Sequence, residues 1–319
     1  MKKTLRITGT ILLWILGIIV GLLIISAVSH NILKSMEKNK YKIGQTVHVD
    51  GKNMHAYVTG KGDKTIVLLS GLGTASPIAD FMPLAERLSE DYKVVILESF
   101  GYGFSDTTKK ERSNKNIVNE IRTALKELEI SGPYILMPHS ISGVYSMYYA
   151  KNYPTEVEAI IGIDESVPNQ TKINKDYGMS PNLTLLNTLG ILRDLSYLSP
   201  GADDGMNQYN YYSAEQVKLK KMATNWNNSN ISVINEMNTV NANTEELYDV
   251  KYPNDLPVLA FLSKDTVDNE QDWLPLHEEL ITNDEIQKIE TLSGGHYLHW
   301  TNPDKIAEMT KEFISTHLK

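Results

Sequence analysis

The hydropathy pattern opens on an uncharged run from Thr8 to Val28, dominated by Ile, Leu, Val and Gly. As a helix it would extend about 30 Å, the thickness of a bilayer's hydrocarbon core. It is apolar on every face, unlike the one-sided stripe of a helix that packs on a globular core. From residue 45 onward the pattern changes to short apolar runs alternating with longer amphipathic stretches. Gln45–Asp50 and Met54–Thr59 read as a hairpin turning at Asp50-Gly51. Thr65–Ser70, Lys93–Leu97, Tyr134–Met137 and Ala159–Ile163 are continuous apolar runs, as expected for strands buried on both faces, and Pro257–Ser263 and Ile286–Thr291 complete the set.

Helical spacing fills the gaps. Ile117, Ile121, Leu125 and Leu128 form one stripe, 141–153 follows a strand directly, and Pro303–His317 places Ile306, Met309 and Phe313 on one face. This alternation predicts a mostly parallel α/β sheet of about eight strands with helices on both faces. The stretch 166–252 breaks the rhythm. It is rich in Asn, Tyr and Met, and Ser213-x-x-Gln216 and Asn243-x-x-Glu246 look like capping boxes that start helices. It is expected to be a helical cap inserted between core segments 45–165 and 253–319, with Tyr209, Tyr211 and Tyr212 as packing surface or pocket lining. Residues 1–7 form a short tail, 8–28 the apolar span and 29–44 a polar tether.

Charge refines the picture of the N-terminus. Lys2, Lys3 and Arg6 precede the span, and Lys34, Lys38, Lys40 and Lys42 follow it. The compact first flank without acidic residues favours an inward tail and a body outside the cell membrane. Ala27-Val28-Ser29 offers a small-x-small cleavage site, so secretion after signal removal is the alternative. Over the whole chain of 319 residues the formal net charge is −8, which argues against a nucleic-acid partner. The absence of cysteine removes disulfides, thiolate catalysis and Cys-ligated metal sites.

Candidate chemistry sits at the ends of the apolar runs. Tyr134-Ile-Leu-Met-Pro-His139-Ser140-Ile-Ser142-Gly143 is a strand, a sharp turn bearing Ser140 and an immediate helix, the layout of a nucleophile elbow. Pro138 and Ser142 stand where the G-x-S-x-G pattern has glycines, and by itself Ser140 reads equally as a helix N-cap. Leu292-Ser-Gly-Gly-His296 ends the last strand in a loop that can present an imidazole as base. His296 and His299 lack a third metal ligand nearby, and His299 reads as a packing or hydrogen-bonding residue. Asp265, directly after the penultimate strand, is the favoured acid, with Asp268 and Asp164 as competitors. The glycine-rich turn Ser70-Gly71-Leu72-Gly73 makes the amides of Leu72 and Ile141 the expected oxyanion donors. Gly101-x-Gly103 lacks the third glycine of a dinucleotide fingerprint, and no cofactor is expected.

In this order the segments resemble the α/β-hydrolase superfamily across residues 45–319. Gly71-Leu72-Gly73 is similar to its oxyanion turn, and Glu98-Ser-Phe-Gly101-Tyr-Gly103-Phe-Ser105 to its D-x-x-G-x-G-x-S segment. Pro138-His-Ser140-Ile-Ser142-Gly143 is similar to G-H-S-x-G-G, and Gly295-His296 with Pro303 to its terminal histidine loop and helix. Ser70 replaces the usual His, and Glu98 the usual Asp. The Gly-Gly-Ser-Trp-Gly elbow of its proline aminopeptidases is absent. The Asp nucleophile of its epoxide hydrolases and dehalogenases is here Ser140. The resemblance implies a serine hydrolase acting on an ester, thioester or amide through an acyl-enzyme; the apolar span adds a membrane anchor, and the cap's composition beside it an apolar substrate. A non-catalytic binding protein and a cofactor-free perhydrolase or acyltransferase on the same fold are the alternatives.

Overall fold

The computed structural model describes residues 2–41, 43–172, 178–198, 205–206 and 210–318; Lys42 and Tyr209 lie outside them. Eight strands form one sheet: β1 Gln45–Val49, β2 Lys52–Thr59, β3 Thr65–Leu69, β4 Lys93–Glu98, β5 Tyr134–Pro138, β6 Val157–Ile163, β7 Val258–Ser263 and β8 Gln287–Leu292. Their spatial order is β1-β2-β4-β3-β5-β6-β7-β8. The β1–β2 and β2–β4 pairs are antiparallel and the remaining pairs parallel. Each strand expected from the apolar runs is present. β3, β5 and β7 are buried at every position, whereas the edge strand β8 mixes buried and exposed ones.

The two-residue period of a strand divides each apolar run between two cores. Ile66 and Leu68 of β3 pack with α2 (Pro77–Leu88) and α12 (Pro303–His317). Val67 and Leu69 face α3 (Asn114–Glu127) and α4 (Ser142–Asn152). The sequence reading did not identify α2. Its start is marked by Ser76, whose hydroxyl accepts from the Ala79 amide, and by Pro77 in the first turn, but Pro83 inside the helix disguises the pattern.

Between β6 and β7 the chain makes α5 (Asn182–Thr188), α6 (Ile191–Leu198), α7 (Ala214–Asn227) and α8 (Ile231–Glu246). Ser213 and Gln216 form the expected reciprocal capping box at the start of α7. Asn243 does not start a helix. It lies near the end of α8, whose N-cap is Asn230. The buried Asn243 amide is occupied by tertiary bonds, donating to the Arg112 carbonyl and accepting from the Asn114 amide.

The N-terminal segment corrects a second expectation. The stretch read as a tether is helical as far as Lys40, because α1 runs without a break over Lys2–Lys40. Apart from the half-buried Leu23, its large apolar residues from Ile7 to Val28 are exposed, and α1 is the one helix among the described residues long and apolar enough to cross a membrane. Beyond that run α1 packs on the insertion. Both guanidinium nitrogens of Arg193 reach Glu37 at 2.8 Å, and the Trp226 indole donates to the same carboxylate at 2.6 Å. Lys34 donates to the Trp226 carbonyl at 2.8 Å. These polar partners order what composition alone suggested would be a loose connector.

Candidate active site

β5, near the middle of the sheet, delivers Ser140 at its C-terminal end, and α4 begins two residues later. Ser140 has φ of 53°, a left-handed conformation that costs a non-glycine residue about 1–3 kcal/mol. The surrounding bonds hold that turn in place. The Ser140 carbonyl accepts from Ser166 N–H at 2.7 Å and from Gly143 N–H at 2.9 Å, and His139 N–H donates to the Leu69 carbonyl at 2.9 Å. A Cβ on Gly71 would lie 2.9 Å from the Ser140 Cβ, and one on Gly143 2.4 Å from the Ser166 carbonyl oxygen. Glycine is therefore required where the oxyanion turn and α4 approach the elbow.

Ser142, which departs from the small-residue pattern, has a defined task. Its hydroxyl donates to the Ser70 carbonyl at 2.6 Å and links the start of α4 to the end of β3. The following turn is closed by Thr74 N–H donating to the Gly71 carbonyl, and the Gly73 amide donates to the Tyr102 hydroxyl at 3.2 Å. Tyr102 in turn donates to the buried carboxylate of Glu236 on α8, which also accepts from Tyr145 on α4. The two expected oxyanion donors thus lie on segments fastened to each other and to the insertion. Leu72 sits in the turn packed against the core, and the buried Ile141 is the N-cap residue of α4.

His296 follows β8 in the glycine-flanked loop. Its Nδ1 lies 2.7 Å from Oδ2 of Asp164, not from Asp265. Asp164 is fully buried at the end of β6, the strand beside β5. Its carboxylate also accepts from Ser263 N–H, the Trp273 indole and the Thr266 hydroxyl, at 2.9, 2.9 and 2.8 Å. Asp265 lies in the first turn of α9 (Lys264–Asn269) and is exposed. Its Oδ2 sits 3.8 Å from where a Cβ of Gly295 would be. Asp268 is exposed and paired with Lys264 at 2.7 Å. The preference for Asp265 rested on its place directly after the penultimate strand. The carboxylate that meets His296 instead follows β6, the strand beside β5, one strand earlier.

His139 completes the support of the loop. The ring nitrogen Nε2 donates to the His296 carbonyl at 3.1 Å, and the two imidazoles lie 4.7 Å apart between centroids. Burial, together with nearby His296 and His299, pushes the His139 pKa well below its ordinary value, so the ring is neutral with its proton on Nε2. Sequence reading offered no sign of this role beyond its place before Ser140. His299, expected to pack or hydrogen-bond, does both. It meets the buried Asp80 carboxylate at 2.7 Å and packs against Phe81. Trp300 and Lys220 also reach Asp80. Burial opposes the Asp80 charge, but attraction to Lys220 and His299 outweighs it and holds the carboxyl well below the usual range.

A family profile described as alpha/beta hydrolase fold matches residues 64–303. The chain belongs to the alpha/beta hydrolase family. Protein YbdG of Bacillus subtilis (strain 168) is 29% identical over 283 residues, covering 85% of each chain. Among solved structures, the meta-cleavage product hydrolase of Pseudomonas fluorescens IP01 superposes with a TM-score of 0.62 at 20% identity, covering 86% of this chain and 98% of that one. An epoxide hydrolase of Vigna radiata gives a TM-score of 0.64 at 16% identity, covering 86% and 97%.

This alpha/beta hydrolase uses Glu98 to organise the loop after β4. The buried carboxylate accepts from Phe104 N–H at 2.7 Å and from Ile78 N–H at 3.3 Å, and a Cβ on Gly103 would fall 2.0 Å from it. The glycine pattern there makes room for a side chain and leaves no phosphate cradle. A cavity of about 310 Å³ separates the core from the insertion. Leu72 and Tyr297 line it on the core side, and Lys220, Asn227, Val233 and Met237 on the other. The cavity thus touches both the Gly71–Gly73 turn and the residue after His296.

Glu165, next to Asp164, is buried, and desolvation foremost, with the neighbouring Asp164 charge, pushes its pKa up to about 8 from an ordinary 4.5. The folded chain therefore holds a proton that the unfolded chain releases between these values. The resulting stabilisation is full below pH 4.5 and is lost as pH rises through about 8, on the order of 5 kcal/mol. Thermal melting from pH 6 to pH 9 should show the wild type falling by several degrees and Glu165→Gln falling much less. Equal slopes would contradict this assignment.

Proposed function

We propose that this chain is a membrane-anchored serine hydrolase that cleaves an apolar carboxylic ester, thioester or amide through an acyl-enzyme. The observation that carries this reading is the 2.7 Å contact of His296 Nδ1 with the buried Asp164 carboxylate, made by a loop fastened to the residue preceding Ser140. In that contact Nδ1 keeps its proton, which leaves Nε2 as the basic nitrogen. As Ser140 Oγ attacks the acyl carbon, His296 Nε2 takes its proton, and Asp164 stabilises the resulting imidazolium. The carbonyl oxygen becomes an alkoxide, for which the Leu72 and Ile141 amides are the proposed donors. Collapse expels the alcohol, thiol or amine, which takes the proton from His296. Water then attacks the acyl-enzyme, again giving its proton to His296, and the acid leaves with Ser140 restored.

The insertion serves as a cap in this reading, and the cavity beneath it receives the acyl group. We place the body outside the cell membrane with α1 as a single span. A fluorophosphonate probe tests the proposal. The folded protein should take up one label, and mass spectrometry of its peptides should map the label to Ser140. Failure to label protein that melts cooperatively would overturn the proposal.

A further inference from the structure

Outside α1, the large apolar side chains exposed among the described residues are Leu185, Leu195, Tyr197, Leu198, Tyr211 and Tyr248. Four of these six lie on α5 and α6, with exposures of 58%, 52%, 62% and 79% for Leu185, Leu195, Tyr197 and Leu198. Such clustering marks an interaction surface more than chance exposure. Their place in the fold says which surface they meet. α6 crosses α1, and Asp194 accepts from the Ser26 hydroxyl at 2.6 Å. The Leu189 carbonyl accepts from the same hydroxyl at 2.7 Å, and Gly190 packs on Ser26 and His30. Ser26 is two residues before the end of the apolar run that closes at Val28. The charged partners Lys34 and Glu37 lie about two and two and a half turns beyond Val28.

A helix spanning the hydrocarbon from Thr8 to Val28 therefore places the α6 contact at the boundary between acyl chains and headgroups. Leu195 and Leu198 are three residues apart, one above the other on the same face, and both are more than half exposed. Tyr197 adds an aromatic ring with a polar tip, the side chain favoured at that depth. Asp194 remains at headgroup level, bonded to Ser26.

We propose that the α5–α6 face is a second membrane contact, lying in the bilayer interface beside the anchor, with lipid acyl chains as its partner. It rests on reading α1 as a membrane span. The insertion is then seated on the lipid surface at two places, α1 and α6. α7 adjoins the same assembly: Trp226 binds Glu37 of α1 while the next residue, Asn227, lines the cavity.

The cysteine-free sequence allows single environment-sensitive probes to be attached. Full-length Leu198→Cys and Leu195→Cys proteins carrying NBD are reconstituted in phosphatidylcholine–phosphatidylglycerol vesicles. Part of the lipid bears a nitroxide near the top of its acyl chain. Leu16→Cys reports the span, and Lys151→Cys, at the end of α4 away from the elbow, reports the aqueous side. Both α6 probes should lose about half of their emission to the nitroxide, while the Lys151 probe stays unquenched. Quenching at position 16 with none at 195 and 198 would overturn the second contact while leaving the span intact. No quenching at position 16 would overturn both.

Discussion

Ser140→Ala should lower kcat for an activated short-chain ester by about 10⁶-fold, leaving a residual rate about 10³–10⁴-fold above that in water. The loss is that large because in the proposed mechanism the hydroxyl forms the covalent bond, and the residual activity comes from binding and the alkoxide donors alone. Stability should respond in a different sense. The backbone at 140 is held at φ of 53° whatever the side chain, so alanine carries the same strain as serine. Ser140→Gly should be equally inactive yet melt a few degrees higher, because glycine adopts this conformation without that cost. Initial rates and melting curves on the three proteins decide the matter. Retained turnover in either variant would exclude Ser140 as nucleophile.

The second large effect separates two carboxylates. Asp164→Asn should reduce kcat/KM by about 10⁴-fold, because an amide lets the imidazole settle with its proton on the wrong nitrogen. Asp265→Asn should stay within about twofold of the wild type, since its side chain is exposed and the imidazole Nδ1 is already held by Asp164. Asp164 accepts four hydrogen bonds in all, and an amide oxygen cannot replace both carboxylate oxygens, so the variant should also lose about 1–3 kcal/mol of stability. To distinguish a catalytic from a folding defect, the substitution is repeated in His296→Ala. If Asp164 acts through the imidazole, adding Asp164→Asn to that variant should cost little further activity. A full additional loss would mean that the carboxylate acts elsewhere.

Much of this arrangement was legible in the sequence for identifiable reasons. Strands buried on both faces leave continuous apolar runs, and the hairpin together with the six runs after it became the eight strands. Ser140 and His296 were singled out because a strand, a turn and a helix follow one another in a short stretch of chain at each. Asp164 was weighed and placed below Asp265 because sequence gives the order of strands along the chain and not their order across the sheet. β6 lies against β5, and that adjacency carries the acid to the imidazole. The link from Glu236 through Tyr102 to Gly73 spans two distant parts of the chain and leaves no local pattern. Asn243 misled for a related reason: its spacing to Glu246 imitates a helix start, but its amide is engaged by the loop that holds Arg112 and Asn114.

Read as a membrane span, the unbroken α1 fixes how far the body of this alpha/beta hydrolase can reach. A flexible leash would let the body sample heights above the bilayer and tumble toward soluble molecules. A rod clamped by Arg193 and Trp226 at Glu37 permits neither, and holds the cavity at one altitude and one tilt. Encounters with molecules embedded in the same leaflet then become a search in two dimensions, at a fixed angle of approach.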